Sequence, residues 1–148
     1  MRIIGLDYGE HRIGVAISDE LGLTAQAVEG YTRQGRRADL AYLARLVGET
    51  GADTIVVGLP LNMNGTRGPA AEAAARFGRD LERTTGCRVV FSDERLTTVA
   101  AQRDLIALDV SRGRRRQVVD QTAAALILQG YLDRLRRTGA SERKEREE

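Results

Sequence analysis

The chain of 148 residues has the size of one domain and is too short for two enzyme-sized lobes. Its net charge is +2. Apolar residues make up 42% and charged residues 30% of the chain, which is an ordinary composition for a globular protein. No apolar run approaches the roughly 18 to 20 residues that cross a bilayer, and the first residues lack the cleavage site of a signal peptide. We therefore expect a cytoplasmic protein without membrane association.

The chain has one cysteine, Cys87, and one histidine, His11. A single cysteine excludes an internal disulfide, and two such residues are too few for a zinc cluster of Cys and His ligands. Any metal ion must therefore be bound mainly by oxygen atoms. Oxygen ligands favour Mg²⁺ or Mn²⁺.

The first third of the sequence predicts three strands and a helix. Two apolar runs joined by a glycine-containing segment are typical of a hairpin, and a third strand follows. A basic loop, Arg33–Arg37, then leads into leucines at helical spacing that end before Gly51. The strands are expected at Ile3–Leu6, Ile13–Ser18 and Ala25–Tyr31.

The rest of the chain alternates strand and helix. A short apolar strand, Ile55–Val57, is followed by a polar loop and by an alanine-rich helix, Pro69–Thr85, which has proline at its first position. The next buried strand ends in Asp93 and Glu94. Two further helices, with a second basic loop between them, are expected at Thr97–Leu108 and Val118–Leu135.

Three leading strands followed by alternating helix and strand predict an α/β domain. Its five-stranded sheet should be mixed, with an antiparallel hairpin unit and parallel additions. The sequence shows neither an internal repeat nor an interdomain linker. We expect one domain over residues 1–137 and a charged, disordered tail over residues 138–148.

Three acidic residues lie where the predicted fold would bring them together. Asp7 ends the first strand and Glu94 the last, and ligands of open α/β sheets gather beyond the carboxyl ends of parallel strands. Asp120 precedes Ala124 by one helical turn and Ile127 by two, which places it on the face that packs on the sheet. Converging carboxylates repel unless cations neutralise them, and two divalent ions would also clamp the oxygens of a phosphodiester. One interpretation of this pattern is metal-dependent hydrolysis of nucleic acid.

Each acid is also suited to a structural role. Asp7 is suited to begin the hairpin turn. Asp93 or Glu94 is suited to cap the helix near Thr97, and Asp120 to cap its helix or neutralise its arginine neighbours. From the residues alone, the structural and the catalytic interpretations both stay open.

Four ordered motifs cover most of the chain: GLDYGEHRIGVAISD, VVGLPLNMNGTRGP, FSDERLTTVAA and RGRRRQVVDQTAAALILQGYL. Together they resemble the YqgF/RuvX family of pre-16S rRNA nucleases, which are also described as Holliday-junction-resolvase-like. The resemblance implies an RNase H-like fold flanked by helices, a hydrolase that binds Mg²⁺ or Mn²⁺, and processing of the 5′ end of pre-16S rRNA in ribosome biogenesis. The family's catalytic and metal-binding acids fall on Asp7, Glu94 and Asp120.

The resemblance also implies residues that bind nucleic acid. Gly9 matches the family's Asp-x-Gly turn, where the missing side chain lets a phosphate backbone approach closely. Asn62 and Thr66 lie in a loop that resembles the one beside the family's active site, although a turn-forming role suits both equally well. Asn64 stands where family members often have aspartate.

A basic loop directly precedes the Asp120 helix and is opposite in charge to the acids. It would attract phosphates to a site that otherwise repels them. Its arginines are Arg112, Arg114, Arg115 and Arg116. Since the chain has no tryptophan, two phenylalanines and four tyrosines, we expect backbone recognition to outweigh base stacking.

Three other functions stay open. A Holliday junction resolvase acts on branched DNA and is expected to be a homodimer, because it must cut two strands symmetrically. The chain could also be a non-catalytic nucleic-acid-binding module, like the YqgF-like domains of larger transcription proteins. Those domains have lost catalytic acids, whereas all three acids are present here. An actin- or Hsp70-like phosphotransfer module would need two lobes. The expected partner is therefore structured RNA or branched DNA.

Overall fold

The computed structural model describes residues 2–96 and 123–138 of the chain. Over these ranges it contains five strands, three helices and one 3-10 turn. The strands are β1 (Ile3–Tyr8), β2 (Arg12–Ser18), β3 (Ala25–Thr32), β4 (Thr54–Leu59) and β5 (Arg88–Asp93). The helices are α1 (Arg36–Thr50), α2 (Pro69–Thr85) and α3, which is described over residues 123–138.

The strands form one mixed sheet in the order β3-β2-β1-β4-β5. β1, β2 and β3 pair antiparallel as consecutive hairpins, whereas β4 and β5 are added parallel to β1 on its other side. Parallel neighbours need a crossover connection, and α2 provides it between β4 and β5. The predicted mixed five-stranded sheet is confirmed.

Helices cover both faces of the sheet. α1 and α2 lie on one face, over a core that includes Ile4, Leu6 and Leu43. α3 lies on the other face, over a smaller core that includes Val56 and Ile127. Successive side chains of a strand point to opposite faces, so each strand residue belongs either to the α1/α2 face or to the α3 face.

The element bounds differ from the prediction mainly at strand ends. β1 continues through Asp7 to Tyr8 instead of ending at Leu6, because its antiparallel ladder with β2 extends that far. Ladder hydrogen bonds are made by the main chain, so the pairing does not stop where the apolar run stops. α1 begins at Arg36, inside the segment predicted as a basic loop.

Proline and glycine mark the helix ends. Pro69 occupies the first turn of α2, as predicted. Gly51 and Gly86 follow α1 and α2 with φ angles of 71° and 74°, a left-handed conformation that favours glycine.

Several predictions fall on residues outside the described ranges. They concern the helix at Thr97–Leu108, the position of Asp120, residues 139–148 of the predicted tail 138–148, and the basic-loop residues Arg112, Arg114, Arg115 and Arg116. The division into one domain and a tail therefore stays a prediction. None of the helices within residues 2–96 and 123–138 combines the length and the apolar composition of a membrane span.

Candidate active site

Asp7 is a buried carboxylate near the carboxyl end of β1. It is 6% exposed and lies opposite Gly14 of β2 in the antiparallel ladder. It shares its face of the strand with Gly5, two residues earlier, and Gly5 faces α3. The Asp7 side chain therefore lies on the α3 face of the central strand, one residue before the strand ends.

Glu94 reaches the same face from the outer strand β5. It is 7% exposed and opens the 3-10 turn Glu94–Leu96 directly after the strand. Its Oε1 atom is 3.0 Å from the position that a Cβ atom would take on Gly58 of β4. Because Gly58 has no side chain, the Glu94 carboxylate can extend over β4.

Asp7 and Gly58 occupy neighbouring strands at the same level. β1 and β4 run parallel with Leu6 beside Val57, so the next residues in each strand are also adjacent. Adjacent strands are about 4.8 Å apart. The structure thus brings the Asp7 and Glu94 side chains onto one face at the carboxyl edge of the sheet, although Asp7 precedes its strand end and Glu94 follows its own.

α3 packs closely on this face because two strand glycines make room for it. A Cβ atom on Gly5 would lie 2.7 Å from Leu128 Cβ and 3.2 Å from the Ala124 carbonyl oxygen. A Cβ atom on Gly58 would lie 2.5 Å from Ile127 Cδ1. Sequence analysis missed this role of the two glycines, although glycine inside a strand is typical of close backbone approach.

The third predicted acid, Asp120, lies outside the described residues, as do Arg112, Arg114, Arg115 and Arg116. Within residues 2–96 and 123–138, no group of three or more His, Cys, Asp or Glu side chains is placed to hold a metal ion. The structure therefore describes two members of the predicted acidic trio.

The polar loop after β4 is shaped by its own hydrogen bonds. Asn62 donates from Nδ2 to Thr66 Oγ1 at 3.0 Å, and its main-chain nitrogen donates to the Thr66 carbonyl oxygen at 2.9 Å. The Thr66 hydroxyl in turn donates to Asn64 Oδ1 at 2.6 Å. These bonds give Asn62 the turn-forming role, and its contact with substrate stays a prediction.

Arg95 fastens this loop to the end of β5, next to Glu94. Its guanidinium binds both carboxylate oxygens of Asp93, and its Nη1 donates to the Met63 carbonyl oxygen at 3.1 Å. Hydrogen bonds from Arg95 hold the pKa of Asp93 below its ordinary value, against the opposing effect of burial. Sequence analysis missed Arg95, because its partner Met63 stands 32 residues earlier in the chain.

Gly9 lies in the tight turn between β1 and β2. Its amide donates to the Arg12 carbonyl oxygen at 2.9 Å, and a Cβ atom there would lie 2.6 Å from the same oxygen. The turn itself therefore requires glycine. The approach of a phosphate backbone at Gly9 stays a prediction.

Arg33 is a structural residue, which corrects the prediction that Arg33–Arg37 forms a basic loop. Its Nε donates to Asp39 Oδ2 at 3.0 Å, and Asp39 is fully buried. Its Nη1 donates to the carbonyl oxygens of Gly9 and Glu10 at 3.3 and 3.1 Å. Arg33 therefore ties the start of α1 to the turn that follows β1.

Comparison with known proteins gives one matching family model and a group of close relatives. The family model, described as "RuvX: Holliday junction resolvase", matches residues 1–134. A protein of Moorella thermoacetica named "Putative pre-16S rRNA nuclease" is 58% identical over 139 residues, which cover 94% of this chain and 99% of the relative. A relative of the same name from Geobacillus kaustophilus is 56% identical over 135 residues, which cover 90% and 98%.

Two resolvases are similar in structure. Thermus thermophilus RuvC in complex with a Holliday junction substrate has a TM-score of 0.58 at 16% identity, covering 91% of this chain and 96% of that chain. Fowlpox virus resolvase in complex with Holliday junction DNA has a TM-score of 0.54 at 12% identity, covering 91% and 99%. At such low identities the similarity concerns the fold, and it confirms the predicted RNase H-like class.

Proposed function

Because this chain belongs to the RuvX family, we propose that it is a metal-dependent nuclease that hydrolyses phosphodiester bonds at the 5′ end of pre-16S rRNA. The observation that carries the proposal is the pair of buried carboxylates, Asp7 and Glu94, on one face at the carboxyl edge of the sheet. The name shared by the relatives supplies the substrate.

The available donors fit a hard divalent cation. Asp7 and Glu94 offer oxygen atoms, the ligands that Mg²⁺ and Mn²⁺ prefer. Cys87, the one thiol of the chain, lies in the core of the α1/α2 face and therefore on the wrong side of the sheet. Together with Asp120, the two acids would hold two ions, which supply an activated water and stabilise charge on the phosphodiester oxygens.

The packing of α3 supports Asp120 as the third ligand. Asp120 precedes Ala124 by one helical turn, and Ala124 packs beside Gly5. Ile127 reaches Gly58, which is nearer the carboxyl edge than Gly5. Since helical side chains tilt toward the helix N-terminus, this contact indicates that α3 begins toward the edge where the two acids lie. One more helical turn would bring residue 120 to that edge.

The other predicted residues bind and orient the substrate in this proposal. Gly9 and Asn62 lie in the loops that follow β1 and β4, the two strands over which the carboxylates stand. Positive charge ahead of α3 would attract phosphates to the acidic face. It comes from Arg112, Arg114, Arg115 and Arg116.

The test compares cleavage of two labelled substrates by the full chain in Mg²⁺ and in Mn²⁺. The substrates are an RNA that contains the junction between the 5′ leader and mature 16S rRNA, and a four-way DNA junction. Asp7→Asn keeps the size of the side chain and removes its charge, so cleavage should fall on the order of 10³-fold or more while binding persists.

Glu82→Gln provides the matched control, because it removes one carboxylate from an exposed position of α2. This variant should cleave RNA like the wild type. Equal cleavage by the wild type and Asp7→Asn would contradict the assignment of Asp7.

Resolution of branched DNA is the second candidate, and the description of the family model favours it. A resolvase cuts two strands symmetrically and therefore requires two active sites, which a homodimer supplies. Preferential cleavage of the four-way junction, together with a dimer in sedimentation experiments, would select this function. Binding of both substrates without cleavage of either would select the non-catalytic module.

A further inference from the structure

A cleft on the α1/α2 face is lined by arginines from both helices and from the segment before α1. Its volume is about 400 Å³. The charged residues that line it are five arginines and one acid: Arg33, Arg36, Arg76, Arg79, Arg83 and Asp80. Positive charge therefore dominates this space, although the whole chain is nearly neutral.

Asp80 holds two of these arginines in place. It accepts hydrogen bonds from Arg36 Nε at 3.0 Å and from Arg83 Nη2 at 2.6 Å. Burial acts to raise the pKa of Asp80, but the hydrogen bonds from Arg83 and Arg36 outweigh it, and the pKa lies below its ordinary value. The carboxylate therefore stays charged near neutral pH and orients one guanidinium from each helix.

Two further arginines add positive charge to the cleft without such a partner. The side chains of Arg76 and Arg79 form no hydrogen bond or ion pair with any other residue in the described part of the chain. Arg76 and Arg79 are three residues apart on α2, where side chains are neighbours on the helix surface and like charges repel. An anion in the cleft would offset this repulsion.

The aromatic floor of the cleft already has partners inside the protein. Tyr8 stacks on Phe77 with 4.5 Å between the ring centroids, and the Arg33 guanidinium lies 4.6 Å from the Tyr8 centroid. Recognition by the cleft therefore depends on charge rather than on base stacking. Phosphate oxygens suit it, because arginine donates forked hydrogen bonds to them.

The cleft and the acids lie on opposite faces of the sheet but at the same edge. Tyr8 follows Asp7 in β1, so its ring points to the other face. Arg33 lines the cleft and also holds the turn after β1 through the carbonyl oxygens of Gly9 and Glu10. A polynucleotide strand that crosses this turn meets the acids on one side and the arginines on the other.

We propose that this arginine cleft is a second phosphate-binding site, which holds the sugar–phosphate backbone of the substrate away from the bond that is cut. That the bound polynucleotide is the RNA substrate rests on the nuclease function proposed above. Backbone contacts add affinity and orientation without reading sequence. Because the contacts are the same in the ground and transition states, they lower KM and leave kcat nearly unchanged.

The test measures binding of a fluorescein-labelled pre-16S 5′ leader RNA to the full chain in EDTA, by fluorescence anisotropy over a series of KCl concentrations. Arg76→Ala combined with Arg79→Ala should weaken binding roughly 10- to 50-fold at about 100 mM KCl. The negative slope of log affinity against log salt concentration should become shallower by about 1.4 to 1.8, the value for two lost phosphate contacts.

The matched control combines Arg45→Ala with Arg88→Ala. It removes the same charge from two exposed positions that do not line the cleft. Arg45 lies half a turn around α1 from Arg36, and Arg88 begins β5 at the opposite edge of the sheet. Equal losses of slope in the cleft and control variants, or no loss in the cleft variant, would overturn the proposal.

Two further measurements show whether the cleft binds the phosphates of the RNA. Arg76→Lys combined with Arg79→Lys keeps both charges, so this variant should keep the wild-type salt slope and thereby show that the alanine effect comes from lost charge. Inorganic tripolyphosphate is then titrated against the wild type and the alanine variant. If the alanine variant binds tripolyphosphate less tightly but keeps the wild-type RNA slope, the cleft binds a free polyphosphate and the proposal is wrong.

Failure of the nuclease function is distinguishable from failure of the cleft. If the wild type cuts no RNA in Mg²⁺ or Mn²⁺ while the salt slope still falls in the cleft variant, the nuclease function fails and the cleft stands. If the wild type cuts RNA and the cleft variant has an unchanged KM and salt slope, the cleft fails and the nuclease function stands.

Discussion

At the carboxyl edge of β1, the two faces of the sheet carry different charged groups. On the α3 face, Asp7 and Glu94 are buried beside strand glycines. On the α1/α2 face, the next residue, Tyr8, lies at the floor of a cleft lined by five arginines. The sheet lies between the arginines of the cleft and the acids, so the proposed cation site and the proposed phosphate site would occupy opposite sides of one edge.

Asp39 is a buried acid on the α1/α2 face, and its role is structural. It is fully buried, pairs with Arg33 at 3.0 Å, and accepts the Gln34 amide at 2.9 Å. A hydrogen bond to Asp39 also adds to the effect of burial in raising the pKa of Tyr31. Burial of a carboxylate is therefore not by itself a sign of catalysis, because the groups around it decide its role.

The largest expected effect on stability comes from removing Asp39. Asp39→Ala leaves Arg33 Nε and the Gln34 amide without their acceptor, while Arg33 Nη1 keeps the carbonyl oxygens of Gly9 and Glu10. Removing one partner of such a largely buried ion pair costs about 3 kcal/mol. Urea unfolding followed by circular dichroism measures this cost. Asp39→Asn should cost less, because its side-chain oxygen can still accept the Gln34 amide.

Asp53→Ala is the control, since it removes an aspartate from an exposed position. Its free energy of unfolding should stay within about 0.5 kcal/mol of the wild type. A similarly small change in Asp39→Ala would mean that Arg33 and Asp39 do not hold the α1/α2 face together.

Two glycine substitutions distinguish the effects of overpacking on the α3 face from those on the α1/α2 face. In Gly5→Ala the new methyl group meets Leu128 Cβ on the α3 face, and in Gly78→Ala it meets the Phe91 ring on the α1/α2 face, at 2.6 Å. Overpacking of this kind costs about 1–3 kcal/mol in either position. Only Gly5→Ala moves α3 relative to the acids, so only this variant should lose RNA cleavage, by roughly 10- to 100-fold.

Cleavage rates of both variants are measured at a temperature where circular dichroism shows them folded. If Gly78→Ala loses as much cleavage as Gly5→Ala, the loss follows from destabilisation, and the position of α3 is not its cause.

Local sequence pattern accounts for most of the fold. The apolar run after Thr54, the proline that begins α2, and the glycine-containing hairpin turn each identify their element without knowledge of the rest. The extension of β1 to Tyr8 was not predictable in this way, because it depends on main-chain pairing with β2. Pairing partners are a property of the assembled sheet.

The acids of the candidate site were easier to predict than the features that surround them. Asp7 and Glu94 adjoin buried strands, which is a signal within a few residues. The need for glycine at Gly5 and Gly58 appears only when α3 is known to cross those strands. The arginine cleft combines residues from two helices and a loop, although the spacing of Arg76, Arg79 and Arg83 already indicates a common helical face.

Arg95 provides a smaller test of the acidic face. Arg95→Ala removes the guanidinium that links Asp93 to the Met63 carbonyl oxygen, and the loop after β4 loses its attachment beside Glu94. This ion pair is partly exposed and screened by solvent, so KM for RNA should rise no more than about fivefold. Steady-state cleavage kinetics measure this change, and an unchanged KM would mean that the loop does not contact the substrate.

Arg88→Ala controls for loss of charge at the other end of the same strand. It removes an exposed arginine far from the loop, and its KM should match that of the wild type. A rise in KM equal to that of Arg95→Ala would indicate a general effect of charge on RNA binding.

The smallest expected effect concerns pH and the acid of the arginine cleft. The pKa of Asp80 in the folded state lies below its ordinary value, since hydrogen bonds from Arg83 and Arg36 outweigh burial. Its contribution to stability is therefore complete above the unfolded pKa, near pH 4, and is lost as the pH falls through the folded pKa. Both guanidiniums are largely exposed, which keeps the expected difference in melting temperature to about 1–3 °C.

Melting temperatures of the wild type and Asp80→Asn, measured between about pH 6 and pH 3, test this expectation. The advantage of the wild type should shrink as the pH falls, because the asparagine does not titrate. In Arg36→Ala combined with Arg83→Ala the acid loses both donors that lower its pKa, so the pKa of Asp80 should rise relative to the wild type. This variant should therefore lose less stability than the wild type as the pH falls. A constant difference among the three proteins would show that the two arginines do not hold Asp80 in its charged form.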